Sequence, residues 1–480
     1  MRIASLWGRI AAAPPAVEPG PRPAGSGWLT ALAVYREPRL VIIFLMGFAS
    51  GLPLALTGAT LAIWLTELGL SLTSIGLFAA LGVPYTVKFI WSPLIDRVPI
   101  PVLTRRLGRR RSWLLVIQLA LAGAIVALGA TRPREAPFWT ALAALGVAFL
   151  SASQDVVIDA YRIETAREHE QGAAAAMTQY GYRLGILASG AGALFLAVLL
   201  PWSWVYAAMA GLLSIGVMTT LLAPEPRVGG VAAAGVAAPN ADFLDRLREM
   251  VVAPFAEFVR RQGIAVTLLI SVFIVLYTLG DAFASIMANP FYIKIGFSKV
   301  EIATVTKAFG LAATLTGVFL GGLAVVRYGV MKALLVCGIC QALSNLMFAA
   351  QALAGHDVRI LVFTIAIENL TSGMASAAFV AYLSVLCNVA YTATQYALFS
   401  SFAAMGRTFL ASTSGWVADH VGWVTFFLIS TVLALPGLVI LGWMMHRLPA
   451  AGRPPPSGSV DPTPDPPGTM RPRIGWRTPR

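Results

Sequence analysis

Apolar runs of about 20 residues recur along almost the whole chain, and they dictate the solvent in which it folds. A helix of about 20 residues, rising 1.5 Å per residue, crosses the hydrocarbon core of a bilayer. Hydrophobic residues make up 58% of the 480-residue chain and charged residues only 12%, more apolar surface than a soluble protein can bury. We therefore predict an all-α integral membrane protein. Its twelve predicted transmembrane helices lie near residues 40–64, 71–94, 112–131, 137–160, 176–199, 203–222, 264–288, 300–325, 331–353, 359–386, 393–417 and 422–446.

A long polar stretch divides these runs into two sets of six. Residues 223–262 are predicted to form a linker, in which apolar and basic residues between 242 and 261 alternate as in a helix lying at the membrane surface, bent near Pro254. This layout predicts two six-helix bundles, residues 37–222 and 263–447, typical of transporters built from two related halves. The terminal segments, 1–36 and 448–480, are rich in Ala, Pro, Gly or Arg and are predicted to be disordered.

The net charge of +13 is distributed by membrane side. With both termini cytoplasmic, 26 of the 35 Lys and Arg residues fall in the tails and in the loops on that side, and five on the other side. This asymmetry obeys the positive-inside rule and predicts cytoplasmic termini. Nucleic-acid binding is disfavoured, because the basic residues are spread over loops instead of forming one stripe. Cys337 and Cys340 lie in an apolar run without His or acid nearby, so neither a metal site nor a cofactor is predicted.

Two acids interrupt the fourth apolar run. Asp155 and Asp159 are four residues apart and share one face of a helix, where their like charges repel. Charged groups at membrane depth are costly and usually face a partner or a wet cavity. We interpret Asp155 as a proton-coupling residue, assisted by Lys88 from the second run. Asp159, nearer the loop, either joins in proton coupling or forms an ion pair that braces the helices.

Other charged and polar residues within the apolar runs are candidates for binding an anionic ligand. Arg183 and Arg407 could clamp carboxylates with two parallel hydrogen bonds, and each opens a similar small-residue stretch in the fifth run of its half. We expect Glu368 and Arg407 to form a pair near the membrane midplane, with Asp281 and Lys307 as the alternative pair. The alternative is that these residues form ion pairs that only hold the helices together, because such pairs would also balance positive and negative charges within the membrane. The remaining substrate-binding candidates are the aromatic or amide residues Tyr85, Tyr182, Gln154, Asn369 and Gln395. Helix–helix hydrogen bonding is the alternative for the amides, and anchoring at the membrane interface the alternative for the tyrosines.

The loop after the second run carries an acid, glycine and a basic cluster. Asp96 and Arg97 precede Gly108, Arg109, Arg110 and Arg111. This arrangement resembles the signature of the major facilitator superfamily, with about nine additional residues between its two parts. The resemblance implies that these six residues gate the cytoplasmic side. The equivalent loop of the second half, from Gly321 to Lys332, is a degenerate copy that lacks the acid.

Several longer runs resemble AmpG-type muropeptide permeases of the bacterial inner membrane. They occur in order at residues 47–57, 88–97, 151–160, 181–185, 222–226, 279–283, 368–373 and 393–398. The resemblance implies proton-coupled import of N-acetylglucosaminyl-anhydromuramyl peptides from the periplasm for cell-wall recycling, an indirect part in β-lactamase induction, and a monomer. Some family members have further hydrophobic segments at the C-terminus where this chain has a Pro-rich tail.

Three other functions stay open at this point. The chain could transport a different polar anionic solute, or act as a receptor or lipid translocator. A membrane enzyme acting on lipid-linked sugars would also place acids near the bilayer. However, Asp155 and Asp159 lack the spacing of an Asp-x-Asp metal motif, and none of the four His residues is paired at ligand spacing. We therefore predict that the chain is not an enzyme.

Overall fold

A computed structural model describes residues 32–70, 81–226, 243–410 and 413–447, and every regular element in them is helical. The predicted disordered tails, the first part of the predicted linker and the beginning of the second run fall largely outside the described residues. The predicted limits of the two bundles stay predictions. We call residues 38–222 the first bundle and residues 264–447 the second bundle.

Twelve helical regions correspond in order to the twelve predicted runs. We label them α1 (Pro38–Glu67), α2 (Val83–Val87 and Ser92–Arg97), α3 (Arg109–Gly129), α4 (Pro137–Thr165), α5 (Gln171–Leu187 and Ala193–Ala197), α6 (Trp202–Leu222), α7 (Ile264–Lys294), α8 (Lys299–Val305 and Leu311–Tyr328), α9 (Val330–Ala354), α10 (Val358–Leu386), α11 (Thr392–Met405 and Ser414–His420) and α12 (Trp423–Arg447). Within the described residues, nine of them contain a helix long and apolar enough to cross a membrane.

The other three, α2, α5 and α11, contain no such helix in the described residues, so the count of twelve spans is not fully confirmed. The described part of α2 changes to a 3₁₀ turn at Lys88–Ile90. In α5, α8 and α11 a π-helical segment interrupts the α-helix, at Ala188–Gly192, Thr306–Gly310 and Gly406–Leu410. Because π-helical segments widen a helix and redirect its side chains, they occur often at functional positions. The break in α11 contains Arg407, and the one in α5 lies one turn beyond Arg183.

The linker contains one helix, Phe243–Gln262, with Pro254 inside it. Its C-terminal part packs on the second bundle through Phe258, which is 3% exposed and belongs to that bundle's hydrophobic core. Glu257 accepts hydrogen bonds from Asn388 (2.8 Å) and Gln395 (2.7 Å), which lie just before and within the first turn of α11. The linker helix therefore holds the beginning of α11.

Glycines allow helices within each bundle to pack backbone against backbone. Pairs of glycines four residues apart occupy two such crossings: Gly47 and Gly51 of α1 against Gly181 and Gly185 of α5, and Gly317 and Gly321 of α8 against Leu370 and Met374 of α10. A Cβ atom at any of these six glycines would collide with main-chain atoms of the opposite helix. Close packing is the source of helix association in lipid, where the hydrophobic effect offers no preference.

We predict that Gly181→Ala destabilises the protein. The added Cβ meets the main-chain oxygen of Phe44 and the main chain of α1, which cannot move aside as a flexible side chain would. Overpacking of this kind costs about 1–3 kcal/mol. Gly123→Ala on α3 is the matched control, because its Cβ would have no neighbour within 4 Å. The measurement is the apparent melting temperature of the purified protein in detergent. Equal melting temperatures for the two variants would contradict this interpretation.

Candidate functional site

The acid pair of α4 lies where α1, α2 and α4 of the first bundle meet. Asp155 accepts a hydrogen bond from the Ser50 hydroxyl (2.5 Å). Lys88 lies 3.9 Å from Asp159, and it is also close enough to Asp155 for a Coulombic interaction. The buried ammonium group of Lys88 therefore lies within 4 Å of one carboxylate and within electrostatic range of the other.

Two predicted aromatic ligands surround the same acids. Tyr85 of α2 and Tyr182 of α5 both lie within electrostatic range of Asp155. Tyr182 also lies within range of Arg183 and Asp159. The structure thus brings the predicted proton-coupling residues and part of the predicted ligand-binding residues into one polar region of the first bundle.

A second charged region connects the two bundles. Arg183 of α5 is exposed although it lies within an apolar helix, and it interacts electrostatically with Glu368 of α10 in the other bundle. Glu368 is also in range of Asp281, and Asp281 in range of Arg407. Electrostatic interactions thus link the four predicted residues in the order Arg183, Glu368, Asp281 and Arg407, and we call this set the charged line.

This arrangement corrects the predicted partnership of Glu368 and Arg407. Among the residues that the structure describes, no ion pair within 4 Å joins them; the cation near Glu368 is Arg183, and Arg407 is near Asp281. The expectation rested on depth along each helix, which does not specify the direction in which a side chain points. The side chain of Lys307 lies outside the described residues, so its predicted pairing with Asp281 stays a prediction.

The three predicted amide ligands all make contacts within the protein. Gln154 is fully buried and donates to the main-chain oxygen of Ala49 (2.8 Å). Gln395 is 1% exposed and donates to Glu257 and to Pro254 O (3.0 Å). These contacts favour helix–helix hydrogen bonding, the alternative to substrate binding, for both. Asn369 is only partly buried; it donates to the neighbouring Glu368 (2.8 Å) and accepts from Thr314 (2.9 Å), and so it orients a residue of the charged line.

The residues of the loop signature form a buried ion-pair network at one end of the helices. We call this end, which contains residues 96–111, 162–171 and 384–395, the basic face. Arg110 is 1% exposed and pairs with Asp96 (2.8 Å) and Glu164 (2.5 Å). Arg109 donates to the main-chain oxygen of Asp96 (2.6 Å) and lies 3.9 Å from Glu164. Truncating one partner of such a group leaves the other charge buried and unpaired.

Glu225, between α6 and the linker, completes this network. Its carboxylate accepts hydrogen bonds from the main-chain nitrogens of Arg110 (2.8 Å) and Arg111 (3.1 Å), in the first turn of α3. An anion is favoured there because the helix N-terminus leaves N–H groups unpaired and carries partial positive charge. Gly108 precedes the turn at φ +88°, and any side chain there would meet Glu225. Neither Glu164 nor Glu225 was predicted as a site residue, although Glu225 lies in a run that resembles AmpG-type permeases.

Asp96 and its neighbours also join the two bundles. The Asp96 carboxylate accepts hydrogen bonds from the main-chain nitrogens of Ala393 (3.2 Å) and Thr394 (2.8 Å), and from the Thr394 hydroxyl (2.7 Å), at the beginning of α11. Further cross-bundle hydrogen bonds run from Arg97 to Tyr391 (3.2 Å) and from Arg162 to Ser384 (2.8 Å). The basic face is therefore closed in this structure. This geometry agrees with a gating role for the six predicted residues.

Comparison with known proteins identifies the family. Residues 43–287 and 270–478 match the Major Facilitator Superfamily. The chain is 41% identical over 412 residues to the anhydromuropeptide permease of Escherichia coli (strain K12), covering 85% of this chain and 80% of that protein. It is 35% identical over 419 residues to the transporter AmpG 4 of Rickettsia conorii, covering 86% of this chain and 98% of that protein. The chain belongs to the AmpG-type permeases of the major facilitator superfamily.

The fold agrees with this assignment. The solved proton:xylose symporter XylE superposes with a TM-score of 0.63 at 14% identity, over 88% of this chain and 97% of that one. At that identity the likeness concerns the fold alone. Because the chain belongs to this family of permeases, it is a multi-pass inner-membrane transport protein and not an enzyme, as the sequence predicted.

We predict that Asp96→Asn weakens the closure of the basic face. The variant removes the charge that both Arg110 and the N-terminus of α11 require, and the loss of one partner in a buried pair costs about 3–5 kcal/mol. The matched control is Glu135→Gln, whose pair with Arg132 is on the surface, with both side chains more than two-thirds exposed; such pairs contribute about 0–1 kcal/mol.

The readout is labelling of a cysteine introduced at Ser384, after Cys337, Cys340 and Cys387 have been replaced by alanine, with a membrane-impermeant reagent added from the basic face. Faster labelling in the Asp96→Asn background, with the Glu135→Gln background unchanged, is the expected result. Equal labelling in both backgrounds would show that Asp96 does not hold the bundles together.

Proposed function

We propose that this transporter imports N-acetylglucosaminyl-anhydromuramyl peptides together with protons, from periplasm to cytoplasm. Its basic face and both termini would then be cytoplasmic. We infer the substrate from the 41% identity to an anhydromuropeptide permease over most of both chains. Import would supply peptidoglycan fragments for reuse and, by delivering inducing fragments, indirectly support β-lactamase induction and β-lactam resistance. The transporter would act as a monomer.

The charged line suits a ligand of this chemistry. A muropeptide carries carboxylates, sugar hydroxyls and amides, and exposed Arg183 could bind a carboxylate through its planar guanidinium group. Glu368 lies across the bundle interface from Arg183, so an arriving anion would compete with it for the guanidinium. Ligand binding would therefore weaken an electrostatic link between the bundles, which is a physical basis for coupling binding to their movement. Asn369 would orient Glu368, and Tyr85 and Tyr182 would contact the sugars.

The acid pair gives a route from protonation to the gate. Asp159 lies 3.4 Å from Arg162, and Arg162 donates across the interface to Ser384 and faces the ring of Tyr396. Lys88 is shared between Asp159 and Asp155. When Asp155 is protonated, Lys88 would pair with Asp159 alone and weaken its hold on Arg162. We propose that Asp155 carries the coupling proton and that Asp159 transmits its state to the gate.

Counterflow of labelled anhydromuropeptide in proteoliposomes tests the function against its alternatives. A transporter of this substrate exchanges external label for internal unlabelled ligand and accumulates it unaltered. A receptor would bind the label without accumulating it, and a transporter of another anionic solute would show counterflow with that solute only.

We predict that Asp155→Asn abolishes proton-driven accumulation but retains part of the exchange activity. A neutral amide imitates the protonated carboxyl group, so the transporter would complete the exchange cycle without releasing a proton. Asp419→Asn, at an exposed carboxylate near the end of α11, is the control and should leave both activities unchanged. The measurements are uptake under an imposed pH gradient and counterflow without one. Undiminished uphill uptake by Asp155→Asn would rule out Asp155 as the proton carrier.

We also predict that Arg183→Lys weakens the affinity for anhydromuropeptide about tenfold, the effect of about 1.4 kcal/mol. Lysine keeps the charge but loses the two parallel donors of the guanidinium group. Arg359→Lys, at an exposed position in the first turn of α10, is the matched control. Affinity is measured from the concentration dependence of counterflow, and unchanged affinity for Arg183→Lys would leave Arg183 with a structural role.

A further inference from the structure

A small polar cavity lies inside the second bundle, between α7, α9 and α12. It is lined by Tyr277, Asp281, Gly338, Gln341, Ala342, Asn345, Ala434 and Leu438. Its volume of about 10 Å³ leaves room for the centre of one water-sized species. Its walls come from the second bundle alone, so the cavity is distinct from the charged line between the bundles, which it meets only at Asp281.

Asn345 is a buried polar side chain without a partner in this cavity. It is 1% exposed, and its amide nitrogen has no hydrogen-bond partner among the residues described. A buried amide left unpaired costs about 1–3 kcal/mol. The oxygen and nitrogen of a terminal amide exchange places by a half-turn of the side chain, so Asn345 can present either atom to an occupant.

Asp281 brings a carboxyl group to the same cavity. No cation lies within 4 Å of its carboxylate in the described part of the chain; Gln341 donates a hydrogen bond to it, and Arg407 acts on it only at longer range. A carboxylate at membrane depth needs a counter-charge nearby. One occupant that carries positive charge would satisfy both Asp281 and Asn345.

The oxygen atoms around the cavity suit a small, hard cation. The amide oxygens of Gln341 and Asn345 would join the carboxylate, and the Tyr277 hydroxyl, which donates its hydrogen to Leu334 O (3.0 Å), keeps lone pairs free. Oxygen ligands select hard cations over transition metals, and the described residues contain no group of three His, Cys, Asp or Glu placed for a metal ion. A single carboxylate balances one positive charge, which favours a monovalent ion over a divalent one.

The backbone supports this interpretation. Helix α7 is interrupted between Tyr277 and Leu279, so the two ionic or hydroxyl ligands, Tyr277 and Asp281, lie on either side of the break. Discontinuous helices in transporters are the elements at which Na⁺ is coordinated. We propose that this cavity is a sodium site, in which one Na⁺ neutralises Asp281 and holds the two parts of α7 against α9.

Thermal stability of the purified transporter, measured without muropeptide, tests the proposal independently of the transport function. At fixed pH and ionic strength, N-methyl-D-glucamine chloride is replaced stepwise by sodium chloride. A bound ion stabilises the native state by mass action, so we expect a saturable rise in melting temperature of about 2–5 °C. Asp281→Asn and Asn345→Leu should each reduce the apparent Na⁺ affinity at least about tenfold.

Two controls separate the site from general effects. Ser344→Ala removes a buried hydroxyl that is adjacent in α9 and bonds only within its own helix; its sodium response should match the wild type. Because replacing a buried carboxyl group changes stability by itself, the comparison uses the sodium-induced shift and not the absolute melting temperature. Absence of a sodium response in the wild type, or an equal response in Asp281→Asn, would overturn the proposal and indicate a protonated Asp281 with a bound water.

Discussion

Charged side chains in a hydrocarbon environment need partners, and this requirement organises the whole structure. A charge at the centre of a bilayer costs a few kcal/mol or more unless it is paired or reaches water. In the first bundle, the positive charge of Lys88 lies near the carboxyl groups of Asp159 and Asp155. Between the bundles, Arg183 interacts electrostatically with Glu368. This interaction attracts the first bundle to the second, although a long linker separates them in the sequence. The position of each charge thus determines which helices can separate and which cannot.

The charged groups differ in how firmly they are held, and this difference matches the proposed division between gate and ligand site. At the basic face, Arg110 is 1% exposed and pairs with two carboxylates. Asp96 accepts four further hydrogen bonds from α11 and α3. Arg183 and Arg407 are exposed and have partners only at longer range. Groups with saturated contacts stabilise one arrangement of the bundles, whereas loosely partnered cations can exchange a protein carboxylate for one on a ligand.

The glycine crossings complement these polar contacts. In lipid, apolar side chains gain nothing by leaving the solvent, so helices associate through close main-chain packing. The α1–α5 and α8–α10 crossings each lie within one bundle, and they make each bundle rigid. Contacts between bundles combine hydrogen bonds and charges, such as those of Asp96, Arg97 and Arg162, with a close approach of Gly172 in α5 to Gly322 in α8. A rigid unit joined to another by polar contacts can rock as a body when those contacts change.

The sequence by itself determined the membrane class, the two halves and the identity of the charged residues, because apolar length and charge are properties of the chain. The tertiary structure decided which charges meet. Depth along a helix suggested Glu368 with Arg407, but rotation about the helix axis places Arg183 near Glu368 and Asp281 beside a cavity with Asn345. It likewise showed that Gln154 and Gln395 bond to main-chain and linker atoms. Rotation and packing distance arise from all neighbouring helices together, so no single segment of sequence contains them.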